Sequence, residues 1–586
     1  MAKSDARFEY RANLNREVHN LGEPFGFTCA PGQLLPCFAD IATPGDTYYI
    51  NHDLDYLRTL PLTAPAMIDV KVHLESFFVP FQMIYQPFEE TIFSLKSPQS
   101  SNYEISSLKN NSFPVGNFQD LRSTNFYGGS YKHSKFRFDA FRLSDMLGMN
   151  AYAFAFDANY PSIFSYCPNV FPWQLLAYHT IFQYYYRLDD KSQFSNNACN
   201  WDFWYNATSP VNLAIDMHEV HQRPWEFDYF TSSYRSPIVS DANIQNVMSL
   251  GTYSDLSSYG TRSIDRSGVP TNTNSLKSAF VGAIGSSYDN LELNSAISTA
   301  LVRQMFANEK LAMITGRARK TYDAQVLAHF GVKVPHDPKH DIAFIGQDIY
   351  DLKVGEVTSL SSTSGAGLGE LAGKGWAVGQ SKGHKFTAPC HGIVMTIFSI
   401  EPKKRYFGEY NRINALTNAF DIPTPEFDRL GNMPMFRFET GERNGSGVVT
   451  DTDIVAWKER YYWNKRRHAK ATLAFMNNRP VSLGYNEKSS YMLTSAPFGA
   501  YTGTNNNTAR PELESRYYID TNCMDAMLLQ PYIGIWQNGE TGEEVSENWN
   551  KTPWLAYARD PFIVNLDMKI KKVSWMSKDG EPIYNF

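Results

Sequence analysis

The chain has 586 residues, of which 43% are hydrophobic and 15% aromatic, so it has ample material for a buried core and is not a disordered protein. Its formal net charge of −6 at pH 7 excludes nucleic-acid binding through overall positive charge. The first residues lack the apolar segment of a signal peptide, and no apolar run approaches the about 18 residues of a membrane span, so we expect neither export nor membrane insertion.

The first clear strand is predicted in "MIDVKVHLESFFVP", residues 67–80. Ile68, Val70, Val72 and Leu74 alternate with polar residues until Pro80 ends the run. Alternation with a period of two places apolar side chains on one face of a strand and polar side chains on the other. We therefore expect one buried and one polar face.

Three later segments have helical periodicity. "PWQLLAYHTIFQYYYRLDD" begins with a proline, which the first helical turn tolerates, and its apolar residues form one stripe. A second stretch, "LVRQMFANEKLAMITG", ends near Gly316. The third, "YDAQVLAHFG", places Tyr322, Val326 and Phe330 on one face, and Gly331 is its expected C-cap.

Two strands are predicted in the second half of the chain. Residues 393–400 are short and apolar on both faces, which is typical of a central strand. The segment "FIVNLDMKIKKVSWMSKDG" alternates again and loses phase at Lys571 and Lys572, as a bulge or a sheet edge requires. The apolar positions of this last strand are Phe562, Val564, Leu566, Met568 and Ile570.

Long polar tracts separate these elements. We expect one domain over residues 1–586, with polar or irregular excursions at about 81–171, 190–299 and 355–384. No internal repeat is evident. A β core whose strands are separated by long excursions favours a sandwich or jelly roll with loop insertions over a doubly wound α/β sheet.

No segment carries a complete catalytic or ligand-binding motif. The glycines of "GAGLGELAGKGW" lack the spacing of a phosphate loop, and "MHEVHQ" departs from the zinc-protease motif because its histidines, His218 and His221, are three residues apart. "HDPKHD" at 336–341 is interpreted as a solvated loop. The six cysteines contain no C-x-x-C pair and are interpreted as reduced thiols. We therefore expect no enzyme activity, no cofactor and no metal.

The basic segment "WKERYYWNKRRHAK" is the strongest candidate for nucleic-acid contact. Lys465, Arg466, Arg467 and Lys470 occur beside four aromatic residues, so the segment has groups that neutralise phosphates and groups that stack on bases. The alternative is an amphipathic strand or sheet edge whose aromatic residues pack and whose charges face solvent or a neighbouring subunit.

Several segments, in collinear order, resemble the major capsid proteins of microviruses, the small tailless phages with single-stranded DNA genomes, in a gokushovirus-like or related branch. "FDYFTSSYRSP", which follows the helix "LLAYHTIFQYYYR", is similar to the family's "DYFTS" segment. "YDAQVLAHFGVKVPHDP", "FDIPTPEFDRLGNMPMF" and "WKERYYWNKRRHAKATLAF" resemble further segments of the family, and "FFVP" resembles the end of its first barrel strand. The three tyrosines 184–186 and the residues after "DYFTS" depart from the family pattern.

The resemblance implies an eight-stranded antiparallel jelly-roll barrel with large loop and helix-containing insertions. It also implies a structural protein that self-associates through pentamers into a closed T=1 icosahedral shell around a circular single-stranded DNA genome. The chain would then be made in the host bacterial cytoplasm and reside in the virion. Expected partners are a small basic DNA-binding protein, minor or pilot proteins and scaffolding proteins, and a host surface glycan is a further candidate.

The segment "RPWEFDYFTSSYRSP" at 223–237 is rich in aromatic residues and bounded by prolines. Aromatic side chains bury large areas at low entropy cost and favour interfaces. We therefore expect Trp225, Tyr229 and Phe230 to fix an insertion against the barrel or a neighbouring subunit. Lys465, Arg466, Arg467 and Lys470 are the candidate DNA-facing patch.

Two other function classes remain open from the sequence. A carbohydrate-binding or carbohydrate-cleaving β-sandwich would also be rich in Trp and Tyr, but no carboxylate pair stands out and a signal peptide is missing. A cytoplasmic protein that binds single-stranded DNA would be expected to have a net basic domain, which this chain lacks.

Overall fold

The fold is described from a computed structural model of the whole chain. The described residues are 16–62, 69–93, 142–149, 171–188, 220–234, 322–333, 337–358, 371–416, 421–428, 431–440, 454–473 and 560–576, with short pieces at 113, 116–117, 211–212, 262–264, 270–272, 307–318 in part, 486–488, 518–519 and 523–524.

The described strands outnumber the helices and carry the architecture. The strands are β1 (Glu17–Asn20), β2 (Pro24–Cys29), β3 (Leu35–Ala42), β4 (Thr47–Thr59), β5 (Val70–Pro80), β6 (Gly116–Asn117), β7 (Val211–Asn212), β8 (Arg262–Ile264), β9 (Pro270–Asn272), β10 (Ala343–Asp351), β11 (Lys353–Thr358), β12 (Leu371–Gly379), β13 (His384–Thr387), β14 (Gly392–Pro402), β15 (Arg405–Phe407), β16 (Asn432–Phe436), β17 (Ile454–Glu459), β18 (Asn486–Lys488) and β19 (Phe562–Ser574). The helices are α1 (Phe81–Ile84), α2 (Phe88–Phe93), α3 (Arg142–Met146), α4 (Trp173–Ile181), α5 (Tyr322–Phe330) and α6 (Tyr462–Lys465), and α4 continues into a π-helical turn, Phe182–Tyr186.

Two antiparallel sheets form the core of the fold, so the prediction of a mainly β protein is confirmed. The four-stranded sheet has the order β10-β5-β14-β3. The seven-stranded sheet has the order β1-β19-β4-β12-β11, with β2 also paired to β19 and β13 also paired to β4. The strands of these sheets are interrupted by two long excursions, residues 81–342 and 403–561, which contain all the described helices.

The largest core lies between the two sheets. Strand β19 contributes Phe562, Val564, Leu566, Met568 and Ile570, all of them buried, while the residues between them are more exposed. This is the alternation predicted from the sequence, and it is confirmed. Fully burying such a side chain stabilises the fold by about 1.5–3 kcal/mol.

A second core covers the opposite face of the four-stranded sheet. Ile393, Met395 and Ile397 of β14 pack there with residues of α4, whereas Val394 and Phe398 point into the core between the sheets. Strand β14 pairs with β5 on one side and β3 on the other. The predicted central strand, apolar on both faces, is therefore confirmed.

The polar face predicted for β5 carries His73 and Glu75, but it is buried and does not face solvent. His73 and Glu75 are buried, with exposed fractions of 4% and 1%. The second core covers this face, and the charge of Glu75 is paired with Arg223, a residue of the first excursion. The alternation of apolar and polar residues along β5 therefore separates two buried faces, one apolar and one polar, and neither of them faces water.

Helices α4 and α5 occupy the segments predicted for them. Leu175, His179, Phe182 and Tyr186 of the first segment are all buried, as its apolar stripe predicts. Gly331 has a φ of +68°, the left-handed conformation of a helix C-cap. The helix predicted to end near Gly316 lies mostly outside the described residues.

The tract 355–384 was expected to be a polar or irregular excursion, but it contains most of β11 and all of β12, which pair with each other. Its glycines allow close packing between strands. A Cβ on Gly375 would lie 2.6 Å from Thr59 Cγ2, and one on Gly379 would lie 2.1 Å from the ring of Tyr350. Glycine is required at these two positions because neighbouring side chains approach the backbone closely. Neither loop mobility nor a phosphate site is needed to explain it.

Other sequence predictions have partial outcomes. The described cysteines, Cys29, Cys37, Cys390 and Cys523, are free thiols; Cys167 and Cys199 lie outside the described residues, as do His218 and most of the tract 190–299. In the "HDPKHD" loop, His340 and Asp337 are exposed and paired. Within the described part of the chain, no helix is both long enough and apolar enough to cross a membrane.

Candidate functional site

The segment 220–234 connects the two excursions to the β core. Its backbone forms isolated bridges from Gln222 to Gln33, before β3, and from Tyr234 to Trp457 of β17. Arg223 N also donates to Gly32 O at 2.6 Å. The segment therefore runs from the four-stranded sheet to the second excursion.

Arg223 fixes the start of this segment to the four-stranded sheet. Its Nη1 donates to Glu75 Oε2 at 2.9 Å and to Ser399 Oγ at 2.9 Å, and its Nε lies 3.5 Å from Glu401 Oε2. Although burial opposes the charge, Glu75 and Glu401 hold the pKa of Arg223 above its ordinary value. The guanidinium thus stays charged inside the protein and neutralises carboxylates on two adjacent strands.

Glu75 and Glu401 have further partners in the same network. Gln347 Nε2 donates to Glu75 Oε1 at 2.9 Å, and His73 Nε2 lies 2.9 Å from Glu401 Oε2. The hydroxyl of Tyr186, at the end of the π-helical turn, donates to Glu75. Two parts of the first excursion, at Tyr186 and Arg223, therefore converge with the flanking strands β5 and β10 on the buried Glu75 and the partly buried Glu401.

The "DYFTS" sequence forms a compact turn that its aspartate organises. Asp228 Oδ1 accepts from the backbone N–H groups of Phe230 and Thr231, each at 2.8 Å, and Asp228 N donates to Thr231 Oγ1 at 2.7 Å. Such reciprocal bonds between a short polar side chain and nearby backbone favour turns over helix or strand. Tyr406 of β15 donates to the other oxygen, Asp228 Oδ2, at 2.7 Å.

The three predicted aromatic anchors are buried within the single chain. Trp225, Tyr229 and Phe230 have exposed fractions of 5%, 7% and 2%. Lys404 Nζ lies 4.3 Å from the centroid of the Trp225 ring, a cation–π contact. Their packing partners thus come from this chain, and a contact of these residues with a neighbouring subunit stays a prediction.

Tyr229 and Phe230 enter a third core with residues of the second excursion. Tyr229 OH donates to Glu439 Oε2 at 3.0 Å, and Arg412 Nη1 donates to Glu439 Oε1 at 3.2 Å. The hydroxyl of Tyr462 also donates to Glu439. Burial raises the pKa of Glu439 despite these donors.

The predicted basic patch lies directly after β17, around α6. Lys465 contacts Asp428 and Lys470 contacts Glu409, while Arg466 Nη2 lies 3.2 Å from Glu459 Oε1. Among the described residues, Arg467 has no ion pair. Partnered cations are less available to phosphates, so the structure leaves Arg467 as the most available charge of the four candidates.

The sequence did not identify the acidic partners of these sites. The carboxylates of Glu75, Glu401 and Glu439 are far from Arg223 and Tyr229 in the chain. Glu75 was the one carboxylate that the sequence could have indicated, because it lies in a predicted strand. If such a residue is buried, its charge needs a partner.

A known protein family, described as capsid protein (F protein), matches residues 10–144 and 155–532 of the chain. These ranges include the segment 220–234, the basic patch and every described strand except β19. No curated protein matches the chain.

Proposed function

Because the chain belongs to the capsid protein (F protein) family, the major capsid proteins of microviruses, we propose that it self-associates through pentamers into a closed T=1 icosahedral shell around a circular single-stranded DNA genome. The observation that carries this proposal is a family match over nearly the whole chain. The family is structural, and its members are components of the virion.

Strand order supports the proposal that the two sheets form an eight-stranded jelly roll. One sheet contains β2, β19 and β4, with β12 and β13 each paired to β4, and the other contains β3, β14, β5 and β10. Successive core strands alternate between the sheets, except that β5 and β10 share one. Two Greek keys of a jelly roll would give this strand order, with the long excursion 81–342 between β5 and β10.

Exposed apolar residues on the outer face of the seven-stranded sheet support self-association. Tyr49 and Tyr56 of β4 and Trp376 and Val378 of β12 are exposed in the single chain. Closed shells need repeated contacts between subunits, and contiguous apolar surface favours such contacts. In this proposal the segment 220–234 acts within each subunit, where it fixes the excursions that form the rest of the contact surface.

The net charge of −6 cannot neutralise a packaged genome. The proposed partners are therefore a small basic DNA-binding protein and the genome itself, with minor or pilot proteins, scaffolding proteins and a host surface glycan as further candidates. Synthesis in the host cytoplasm before assembly is part of the same proposal.

The test of shell formation is sedimentation velocity on the purified recombinant chain, with negative-stain electron microscopy of the largest species. We expect pentamers or closed shells, alone or after scaffolding proteins from the same genome are added. A monomer that persists at high concentration in the presence of those proteins would contradict the proposal.

Arg467 is the proposed DNA contact that is simplest to test. Arg467→Ala should reduce the dependence of log affinity on log salt for a single-stranded oligonucleotide by about 0.7, the release of one phosphate counterion. Lys569→Ala is the matched control, since it removes the same charge from an exposed side chain outside the patch that is paired with Asp53. Equal effects of the two substitutions would remove Arg467 from the candidate patch.

A further inference from the structure

Three side chains that commonly bind metals meet between the two sheets. His52 lies on β4 and His384 on β13, both in the seven-stranded sheet, whereas Asp348 lies on β10 in the four-stranded sheet. Their donor atoms all lie within 4.8 Å of one another. The cluster is separate from the Arg223 network, which occupies the opposite face of the four-stranded sheet.

The two imidazole rings converge on a single carboxylate oxygen. His52 Nδ1 and His384 Nε2 each lie 2.9 Å from Asp348 Oδ2, and Ser381 Oγ donates to the same atom at 2.6 Å. The exposed side-chain fractions are 0% for His52, 5% for Asp348 and 17% for His384. The cluster is thus enclosed on the side of His52 and accessible to small solutes along the edge of His384.

A further hydrogen bond fixes the ring of His52. Ser76 Oγ lies 2.6 Å from His52 Nε2 and 2.7 Å from Thr396 Oγ1. Metal-binding histidines usually have their other ring nitrogen held by such a hydrogen bond, which sets the orientation of the ring. Because a hydroxyl both donates and accepts hydrogen bonds, Ser76 can form a hydrogen bond with His52 Nε2 in either neutral tautomer of the ring.

His384 is held by close contact with the backbone of β10. A Cβ on Gly346 would lie 2.1 Å from His384 Nδ1, so this approach requires glycine. Tyr350 OH donates to His52 O at 2.6 Å and holds β4 against β10. The donor atoms are therefore positioned by the fold and need little rearrangement to take up an ion.

We propose that His52, Asp348 and His384 bind a divalent transition-metal ion of the zinc class, and that the ion crosslinks the two sheets of each subunit. Two imidazole nitrogens and one carboxylate oxygen suit zinc, whereas calcium and magnesium take oxygen ligands. The ion replaces the two hydrogen bonds to Asp348. Each ring keeps one proton, on Nε2 in His52 and on Nδ1 in His384, and Ser381 or a water molecule supplies a fourth ligand.

The first test uses the unmodified full-length chain. After treatment with EDTA and removal of the chelator, zinc sulfate is added, unbound zinc is removed by gel filtration, and the zinc content is measured by plasma mass spectrometry. We expect one zinc ion per chain and a higher melting temperature with zinc than with EDTA. Zinc content well below one per chain, with an unchanged melting temperature, would overturn the proposal without any variant.

The second test assigns the ion to these residues. His384→Gln should bind zinc at least ~10-fold more weakly, and zinc should no longer raise its melting temperature. His340→Gln is the matched control because it removes a histidine from an exposed pair with Asp337; it should bind zinc as the unmodified chain does. Unchanged zinc binding in a His384→Gln chain with native circular dichroism would contradict the assignment.

Asp348→Asn is the second variant if His384→Gln fails to fold, since it removes the ligand charge and keeps the side-chain shape. Zinc binding by folded Asp348→Asn at the affinity of the unmodified chain would also overturn the proposal. All these measurements concern the single chain, so their outcome is independent of whether shells assemble.

Discussion

The two faces of the four-stranded sheet are both buried, yet they hold their charged groups differently. On the face toward the seven-stranded sheet, Asp348 is bonded to two imidazoles and a serine. On the opposite face, Glu75 and Glu401 are paired with the guanidinium of Arg223. A buried carboxylate needs hydrogen bonds or a cation on either face, because desolvation of an unpaired charge costs several kcal/mol.

The difference between these networks lies in what they connect. The Asp348 cluster joins strands of the two sheets and so fixes how the sheets pack. The Arg223 network joins the sheet to a residue of the first excursion and so fixes where that excursion lies. Loss of the first should loosen the β core itself, and loss of the second should release the excursion together with the segment 220–234.

The largest effect is expected from Arg223→Met. It leaves the buried Glu75 and the partly buried Glu401 without their guanidinium partner, which should cost about 3–5 kcal/mol of unfolding free energy in denaturant titrations. Lys71→Met is the matched control, because Lys71 forms an exposed pair with Glu226 at 4.0 Å and should change stability by at most ~1 kcal/mol. Similar losses of unfolding free energy in the two variants would show that the Arg223 network does not stabilise the fold.

Ser76→Ala tests the face between the sheets. It removes the hydroxyl that contacts both His52 Nε2 and Thr396 Oγ1 and leaves these buried groups short of a partner, at a cost of about 2–3 kcal/mol. Thr358→Ala, at an exposed position of β11, is the control for removing a hydroxyl from a strand. The melting temperatures of both variants are measured by thermal unfolding followed by circular dichroism. Equal melting temperatures would contradict a role of the cluster in holding the two sheets together.

Tyr229→Phe tests the far end of the segment that Arg223 begins. The lost hydroxyl donates to the buried Glu439, so we expect a loss of about 1–2 kcal/mol by denaturant titration. Tyr410→Phe, at an exposed position, should leave stability unchanged. If the two substitutions had the same effect, the contact with Glu439 would not stabilise the second excursion.

The smallest effect is expected from acidification at Glu401. Burial alone would raise its pKa, but His73 and Arg223 hold the pKa of this carboxyl below its ordinary value. A lowered pKa in the folded state contributes stability above the unfolded pKa, about 4.3, and this contribution is lost as pH falls through the folded pKa. Glu401→Gln should therefore flatten the fall in unfolding free energy below about pH 4.3.

Glu226→Gln provides the control for the acid titration, since Glu226 is an exposed carboxylate close to the same network. Its stability profile should follow that of the unmodified chain. A Glu401→Gln profile that coincides with the Glu226→Gln profile would show that Glu401 does not contribute to the acid sensitivity of the fold.

The sequence by itself determined several of the main elements, although it did not identify β3 or β4. Alternation identified β19, two-sided apolarity identified the central strand β14, and the stripe from Leu175 to Tyr186 identified α4. These signals are local, because the period of side-chain burial follows directly from strand and helix geometry. The family was likewise indicated by short collinear segments such as "DYFTS", whose aspartate organises a local turn.

Tertiary structure alone decided which polar residues are buried and what they bind. In the sequence, His73 and Glu75 have the pattern of a solvent-facing row, but in the structure α4 and Arg223 cover them. The glycines near 375 have the pattern of a loop, but in the structure Thr59 and Tyr350 pack against them. His52, Asp348 and His384 lie far apart in the chain and meet only when the sheets stack. The burial of a polar side chain and the pairing of its charge depend on contacts between distant segments. A local sequence pattern therefore predicts whether a segment is a helix or a strand, but it does not predict which residues cover the polar face of that element.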